Sequence, residues 1–301
     1  MKYINDTVIC IFACNRVTSL KNLLKDIKKN NNYQKYSYYF FVDTPKEDIS
    51  LNIQNLISQV IKNFKKKLKA KIIYREKNLG LSKNIIKGIN YVKKKYRKII
   101  VLEDDLRVSR NYINFMQKNL DQFENDKHIY SITGYVFPKK IFSLGEKNKS
   151  IFLCKRPNSW GWATWSTKWN KVNFNNKKFR NIYRKRSKAK ILGDYGNDLE
   201  FILRDTLNGK INSWAIKWTI YHILNSKYCI FPLKTLVNEE GYKYMPTNNR
   251  FKLDKFNHKK IYSYKLPKIT KILTENEDIR MQFKKIYNFT LYKRIYKKFI
   301  N

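Results

Sequence analysis

The run KIIVLEDDLRV, Lys98 to Val108, decides how the rest of this 301-residue chain is read. Ile99, Ile100, Val101 and Leu102 form a continuous apolar stretch, the pattern of a strand buried on both faces of a sheet. Glu103, Asp104 and Asp105 follow at once. Three adjacent carboxylates at the end of a buried strand raise one another's pKa and oppose folding. A divalent cation offsets that cost, and hard cations such as Mg²⁺ or Mn²⁺ take carboxylate oxygens. The carboxyl edge of a parallel sheet is also where open α/β folds hold their ligands. A solvated acidic turn would look the same in isolation, so the neighbouring segments have to decide.

Upstream, Val8 to Ala13 (VICIFA) reads as a first buried strand. Leu20, Leu23, Leu24 and Ile27 then recur at helical spacing, with Thr18 or Ser19 available as a cap. Tyr38 to Val42 is a second strand ending at Asp43. Ile53 to Phe64 forms an amphipathic helix with a basic outer face, and Ile72 to Tyr74 a third strand. The loop EKNLGLSKN leads into a helix marked by Ile85, Ile86, Ile89 and Val92. This alternation predicts a parallel sheet with helices on both faces. Right-handed crossovers would bring Arg16, Asp43, the Asn78–Asn84 loop and the acidic cluster to one edge of it.

Downstream, Ser109 precedes a helix carrying Tyr112, Phe115, Met116, Leu120 and Phe123. Ile129 to Thr133 reads as a strand and 137–150 as a surface loop. The block RPNSWGWATWSTKW, Arg156 to Trp169, holds four of the six tryptophans. It reads either as a local aromatic core or as a rigid floor for a sugar or nucleotide, formed by Trp160, Gly161 and Trp162, with the glycine admitting close backbone approach. Leu199, Ile202, Leu203 and Leu207 define a helix starting near Asp198, a carboxylate that the helix dipole alone would favour there. Cys229 to Pro232 reads as a late strand, and the segment from Asn238 as polar turns. The chain beyond 245 is a basic stretch with interleaved aromatics, a small helical appendage suited to an anionic membrane surface or to packing back on the domain.

Lys and Arg total 64 against 23 Asp and Glu, a formal net charge of +41. Such a surplus favours polyanionic surroundings or phosphate-bearing substrates. With 22 Tyr, 18 Phe and 43% hydrophobic residues, the composition excludes a disordered chain. The basic residues are spread along the sequence, which speaks against a dedicated nucleic-acid arm. Cys10, Cys14, Cys154 and Cys229 lack metal-ligand spacing and predict free thiols in a reducing compartment. No apolar run approaches the about 20 residues that span a bilayer, and nothing at the N-terminus resembles a signal peptide. A cytoplasmic protein, with peripheral contact at the inner face of the cytoplasmic membrane, is the expectation. His128, His222 and His258 are scattered and receive no role.

Taken together, CNR at Cys14–Arg16, NLGLSKNIIKGINYV, VLEDDLRVS and SWGWATW resemble the glycosyltransferase family 2-like enzymes of the GT-A fold, and within them bacterial relatives of N-acetylglucosaminyltransferase I. The resemblance covers roughly residues 5 to 245. It implies a nucleotide-diphospho-sugar transferase with a Rossmann-like, mostly parallel sheet. A domain at 1–245 would divide into a nucleotide-binding half (1–108) and an acceptor half (109–245), with the basic appendage at 246–301.

It further implies that Arg16 helps hold the nucleotide, that Asp43 contacts its base or ribose, and that Glu103 reaches the donor sugar and Asp104 the ribose. Asp105 would ligate the Mn²⁺ or Mg²⁺ that bridges the diphosphate, where a cation stabilises charge building on the leaving group. An inverting reaction needs a carboxylate to take the acceptor's proton. The matching motif is Gly196-Asn197-Asp198-Leu199, which puts that base at Asp198, with Asp194 and Glu200 as alternatives. Asn197 departs from the family's acidic pair. The implied partners are a nucleoside-diphosphate sugar, UDP-linked by resemblance, and a hydroxyl of a glycan or lipid-linked glycan in surface polysaccharide or glycolipid synthesis. A basic, aromatic-rich binder of single-stranded nucleic acid is the competing class, but an acidic cluster facing its groove would repel phosphates. A nucleotidyltransferase on the same plan would carry a glycine-rich loop after the first strand, and Ala13-Cys14-Asn15-Arg16 has none.

Overall fold

The computed structural model describes residues 6–45, 50–66, 68–145, 150–240, 256–258, 261–262 and 272–288. Its strands are β1 (Thr7–Ala13), β2 (Ser37–Val42), β3 (Ala70–Tyr74), β4 (Lys98–Glu103), β5 (Leu106–Val108), β6 (Ile129–Thr133), β7 (Ile151–Cys154), β8 (Trp162–Trp165), β9 (Tyr228–Pro232), β10 (Val237–Glu239) and β11 (Ile272–Leu273). Nine of them form one sheet in the order β11-β7-β9-β6-β8-β4-β1-β2-β3, and β5 and β10 make a separate antiparallel ribbon. The β4-β1-β2-β3 half is parallel throughout. β8 runs antiparallel between β4 and β6 and so joins the two halves.

Successive strand residues point to opposite sides, and in β1 and β2 both sides are buried. Ile9, Ile11, Tyr38 and Phe40 face the helices Val17–Lys28 and Ser50–Lys65, meeting Leu20, Leu24, Ile57 and Ile61. Val8, Cys10, Phe12, Tyr39 and Phe41 face the helix Gly80–Val92 through Ile85, Ile89 and Val92. Helix and sheet approach closely at Gly88, where a Cβ would lie 2.6 Å from the Phe12 ring.

Several expectations change here. The helix after β1 begins at Val17, so Thr18 and Ser19 lie inside it, and Arg16 occupies the N-cap position without a side-chain cap bond. The stretch 137–150 is not merely a surface loop: Phe137 and Phe142 are buried and meet the Phe283 ring edge-on at 5.3 and 5.5 Å. Of the two placements open to the basic tail, residues 272–288 take the one against the domain. β11 adds to β7, and the helix Glu277–Tyr287, capped by Asn276, buries Ile279, Phe283 and Ile286 in the main core. Residues 246–255, 259–260, 263–271 and 289–301 of that tail lie outside the described residues. No described helix is long and apolar enough to cross a membrane.

Candidate active site at the carboxyl ends of the parallel strands

The strands β1, β2, β3 and β4 end at one edge of the sheet, and backbone bonds carry the ladder past those ends. Asp104 N–H donates to Phe12 O at 3.0 Å, Asp43 N–H to Ala13 O at 2.8 Å, and Arg75 N–H to Val42 O at 2.9 Å. The polar residues expected at this edge are thus placed by the sheet, not by flexible loops.

Asp104 and Asp105 are almost fully buried and Glu103 is half-buried. Asp104 Oδ2 accepts from the Cys14 amide at 3.0 Å. Arg16 Nη1 lies 2.7 Å from Asp105 Oδ2 and 3.3 Å from Asp104 Oδ1. Burial, then the Asp105 charge, pushes the Asp104 carboxyl up to about 6 against the pull of Arg16. Burial followed by Asp105 and Asp104 raises Glu103, and burial raises Asp105 while Arg16 opposes it. The Cys14 thiol is pushed up to about 12, by burial first and then by Asp104 and Asp43. Three carboxylates face one guanidinium, and the deficit of positive charge is what a divalent cation would relieve. No three His, Cys, Asp or Glu side chains converge into an all-protein cage among the described residues. The donor set fits a hard cation held by one or two carboxylates with the remaining oxygens from a bound phosphate.

Asp43 is buried, and its Oδ1 accepts from the Leu79 amide at 2.9 Å and the Thr44 amide at 3.1 Å. It therefore anchors the loop between β3 and the next helix; Asn78 Nδ2 adds a bond to Thr44 O. Across the corner, the ribbon strand β10 sets Glu239 opposite Leu106, and the Glu240 amide donates to Asp105 O at 2.8 Å.

The tryptophan block divides. Trp160 is half-buried and meets the Tyr135 ring edge-on at 4.6 Å. Trp162 is 1% exposed and stacks on Trp214 at 4.8 Å, with Trp169 and Trp218 beside it. A ring enclosed in this way offers no floor to a ligand, so the aromatic-core reading holds for Trp162. Gly161 has φ +54, and a Cβ there would lie 2.8 Å from Val237 and 3.2 Å from Tyr112. The close approach it permits is to the protein's own β10, not to a bound molecule.

Asp198 opens the helix Asp198–Leu207 but is buried in an ion pair. Arg156 Nη1 donates to its Oδ1 at 2.8 Å and Nη2 to its Oδ2 at 2.6 Å. Nη1 also donates to Tyr195 O at 2.6 Å, and the guanidinium lies 3.3 Å from the centre of the Tyr287 ring. Burial works against the Arg156 charge, and Asp198 outweighs it, so the net shift is upward. Gly196, at φ +126, makes room: a Cβ would fall 2.7 Å from Arg156, Asp198 and Tyr287 atoms alike. Beside it, Tyr195 Oη donates to Glu275 at 2.6 Å, and burial with that carboxylate raises the phenol. Asp194 is half-exposed, with Lys284 Nζ at 3.6 Å, and Glu200 is exposed. Arg156, Tyr287 and β10 escaped the sequence reading. Arg156 had a trace, an arginine beside Pro157 in a stretch short of acids, but its partner stands 42 residues away.

A sheet of this order, with buried carboxylates at the carboxyl end of its fourth parallel strand, defines a Rossmann-like α/β domain with a polar corner where such folds hold ligands. Residues 8–191 match the family described as glycosyl transferase family 2, and the chain belongs to that family. Its sheet is of the GT-A fold class of that family. No curated protein matches the chain.

Solved structures resemble it in outline. TarS of S. aureus gives a TM-score of 0.48 at 12% identity, covering 77% of this chain and 59% of that one. A mannosyltransferase from Pyrobaculum calidifontis, solved with GDP-Man and Mn²⁺, gives 0.42 at 7% identity over 73% of each chain. Glucosyl-3-phosphoglycerate synthase from Mycobacterium tuberculosis, solved with Mn²⁺, UDP and phosphoglyceric acid, gives 0.35 at 8% identity over 54% of this chain and 56% of that one. The chain therefore spans 59% of the length of the TarS structure.

Proposed function

We propose that the protein transfers a sugar from a nucleoside diphosphate, UDP-linked by resemblance, to a hydroxyl of a glycan or lipid-linked glycan. The observation carrying this is the contact of Arg16, from the end of β1, with Asp104 and Asp105 at the end of β4. It gathers anion-binding and cation-binding groups at the sheet edge where α/β folds hold ligands. In this reading residues 1–108 are the donor half and 109–245 the acceptor half. Asp105 is the metal ligand, Glu103 and Asp104 face the donor's sugar and ribose, and Asp43 holds the loop beside the base. Mn²⁺ or Mg²⁺, when bound, supplies positive charge against the leaving diphosphate. Arg16 orients the phosphates, and the buried walls exclude water from the bond being broken. Likeness to N-acetylglucosaminyltransferase I relatives favours a single, inverting displacement. Trp160 remains the candidate platform. Asp198, with both oxygens bonded to Arg156, positions the 195–199 turn in this reading, and the acceptor's proton goes to Asp194 or Glu200, the exposed carboxylates beside it. The net charge of +41 supports an acceptor held at an anionic membrane face.

The test is a thermal-shift and donor-hydrolysis panel of UDP- and GDP-sugars with Mn²⁺ or Mg²⁺, since a ligand of the folded form raises Tm at saturation. Stabilisation by a nucleotide sugar that requires the metal, lost in Asp105→Asn, is the expected result. Stabilisation by single-stranded RNA alone would overturn the proposal.

A further inference from the structure

Nη1 of Arg16 stands between two buried carboxylates, 2.7 Å from Asp105 Oδ2 and 3.3 Å from Asp104 Oδ1. The other oxygen of Asp104 is already engaged by the Cys14 amide. A cation approaching Asp105 from solution therefore meets a positive group seated on the oxygens it needs. Like charges cannot share that position cheaply inside a buried corner. The guanidinium, however, has a better partner in prospect, because its planar fork matches phosphate oxygens and makes paired bonds to them. It also immediately precedes the helix Val17–Lys28, whose first turn has no side-chain cap, and uncapped helix amides favour an anion.

We infer that Arg16 holds the cation's place on Asp105 and Asp104 until a nucleoside diphosphate draws its guanidinium away, so that metal and nucleotide bind cooperatively. This rests on the donor-site reading above and goes beyond it, making Arg16 a positioning residue that sets the order of loading. Because coupling between two ligands is reciprocal, each must tighten the other by the same factor.

The experiment titrates Mn²⁺ alone, UDP alone, GDP alone and each nucleotide with Mn²⁺, by calorimetry and by the loss of the free Mn²⁺ electron-spin signal. Wild type should bind Mn²⁺ alone weakly and at least about tenfold more tightly with one of the nucleotides, a coupling within the usual range. In Arg16→Gln, Mn²⁺ alone should bind more tightly than to wild type, and the coupling factor should fall toward one. Arg16→Lys, which keeps a charge but not the fork, should fall between. Thermal shift gives a second reading if Arg16→Gln is unstable: Mn²⁺ alone should raise its Tm more than that of wild type. If wild type shows coupled binding but Arg16→Gln gains no affinity for Mn²⁺ alone, the inference fails and the donor site stands. If wild type binds neither nucleotide with Mn²⁺, both fail.

Discussion

Replacing Asp198 by Asn separates two accounts of that residue. As the proton acceptor of the transfer it would leave a folded, inactive protein. As the partner of Arg156 it would leave a guanidinium in the core with no counter-charge. Both side chains are close to 5% exposed, and the pair makes two bonds of 2.8 and 2.6 Å. Breaking a buried pair from one side costs about 3–5 kcal/mol, because the remaining charge stays desolvated. Loss of a carboxylate in the first turn of a helix adds about 0.3–1 kcal/mol. At about 2–4 °C per kcal/mol for a domain of this size class, Tm should fall by roughly 7–24 °C. The assay is thermal and urea unfolding of the purified variant, with Arg156→Met and the double variant Arg156→Met/Asp198→Leu beside it. The double variant should be less damaged than the sum of the two single changes, since an apolar pair needs no compensation. An Asp198→Asn protein that melts with wild type while losing all transfer would refute the reasoning and return Asp198 to the chemistry.

Gly88→Ala should cost about 1–3 kcal/mol in urea unfolding, because the new methyl meets the Phe12 ring, itself stacked on Phe41 at 5.0 Å. Trp160→Ala should weaken ligand binding with little change in Tm, whereas Trp162→Ala should cost about 3–5 kcal/mol of stability, read by the same melts. His222 Nε2 accepts from the Ser131 hydroxyl at 3.0 Å and Nδ1 bonds Trp218 O at 2.9 Å, and burial lowers its pKa to about 3. A carbonyl only accepts, so Nδ1 carries the proton and the ring is neutral in the fold. The unfolded chain protonates below about 6.5, so this group's stability contribution, at most roughly 5 kcal/mol, is lost as pH falls from there toward 3. His222→Gln should flatten the stability profile across that window, as followed by urea unfolding at successive pH values.

The first hundred residues were legible because each strand there is a compact apolar run and each helix repeats its apolar positions at i, i+3 and i+4. Strand ends then follow from topology, which is why sequence alone brings Arg16 and Asp104 to one edge of the sheet. Beyond Val108 the local signal thins. β10 is three residues and β11 two, and their partners are remote, so no window of sequence contains the reason for either. β8 reads as aromatic and β-branched, yet nothing in WATW announces that it runs against β4. Phe137 and Phe142 sit among lysines and a proline, and only the helix that covers them, near the other end of the chain, makes them core. The helix start at Asp198 was visible, but an aspartate there looks the same whether it caps, pairs or reacts.

The ribbon between β5 and β10 has a consequence for biosynthesis. Asp105 is braced by Glu240, a residue synthesised 135 positions later. Domains acquire structure from the N-terminus as the ribosome proceeds, and the βα repeats through β4 can pair as soon as they emerge. The acidic corner cannot be finished then. It stays unbraced until residue 240 has been made, so a transcript cut short, or a ribosome stalled before that point, would yield a sheet without a completed site.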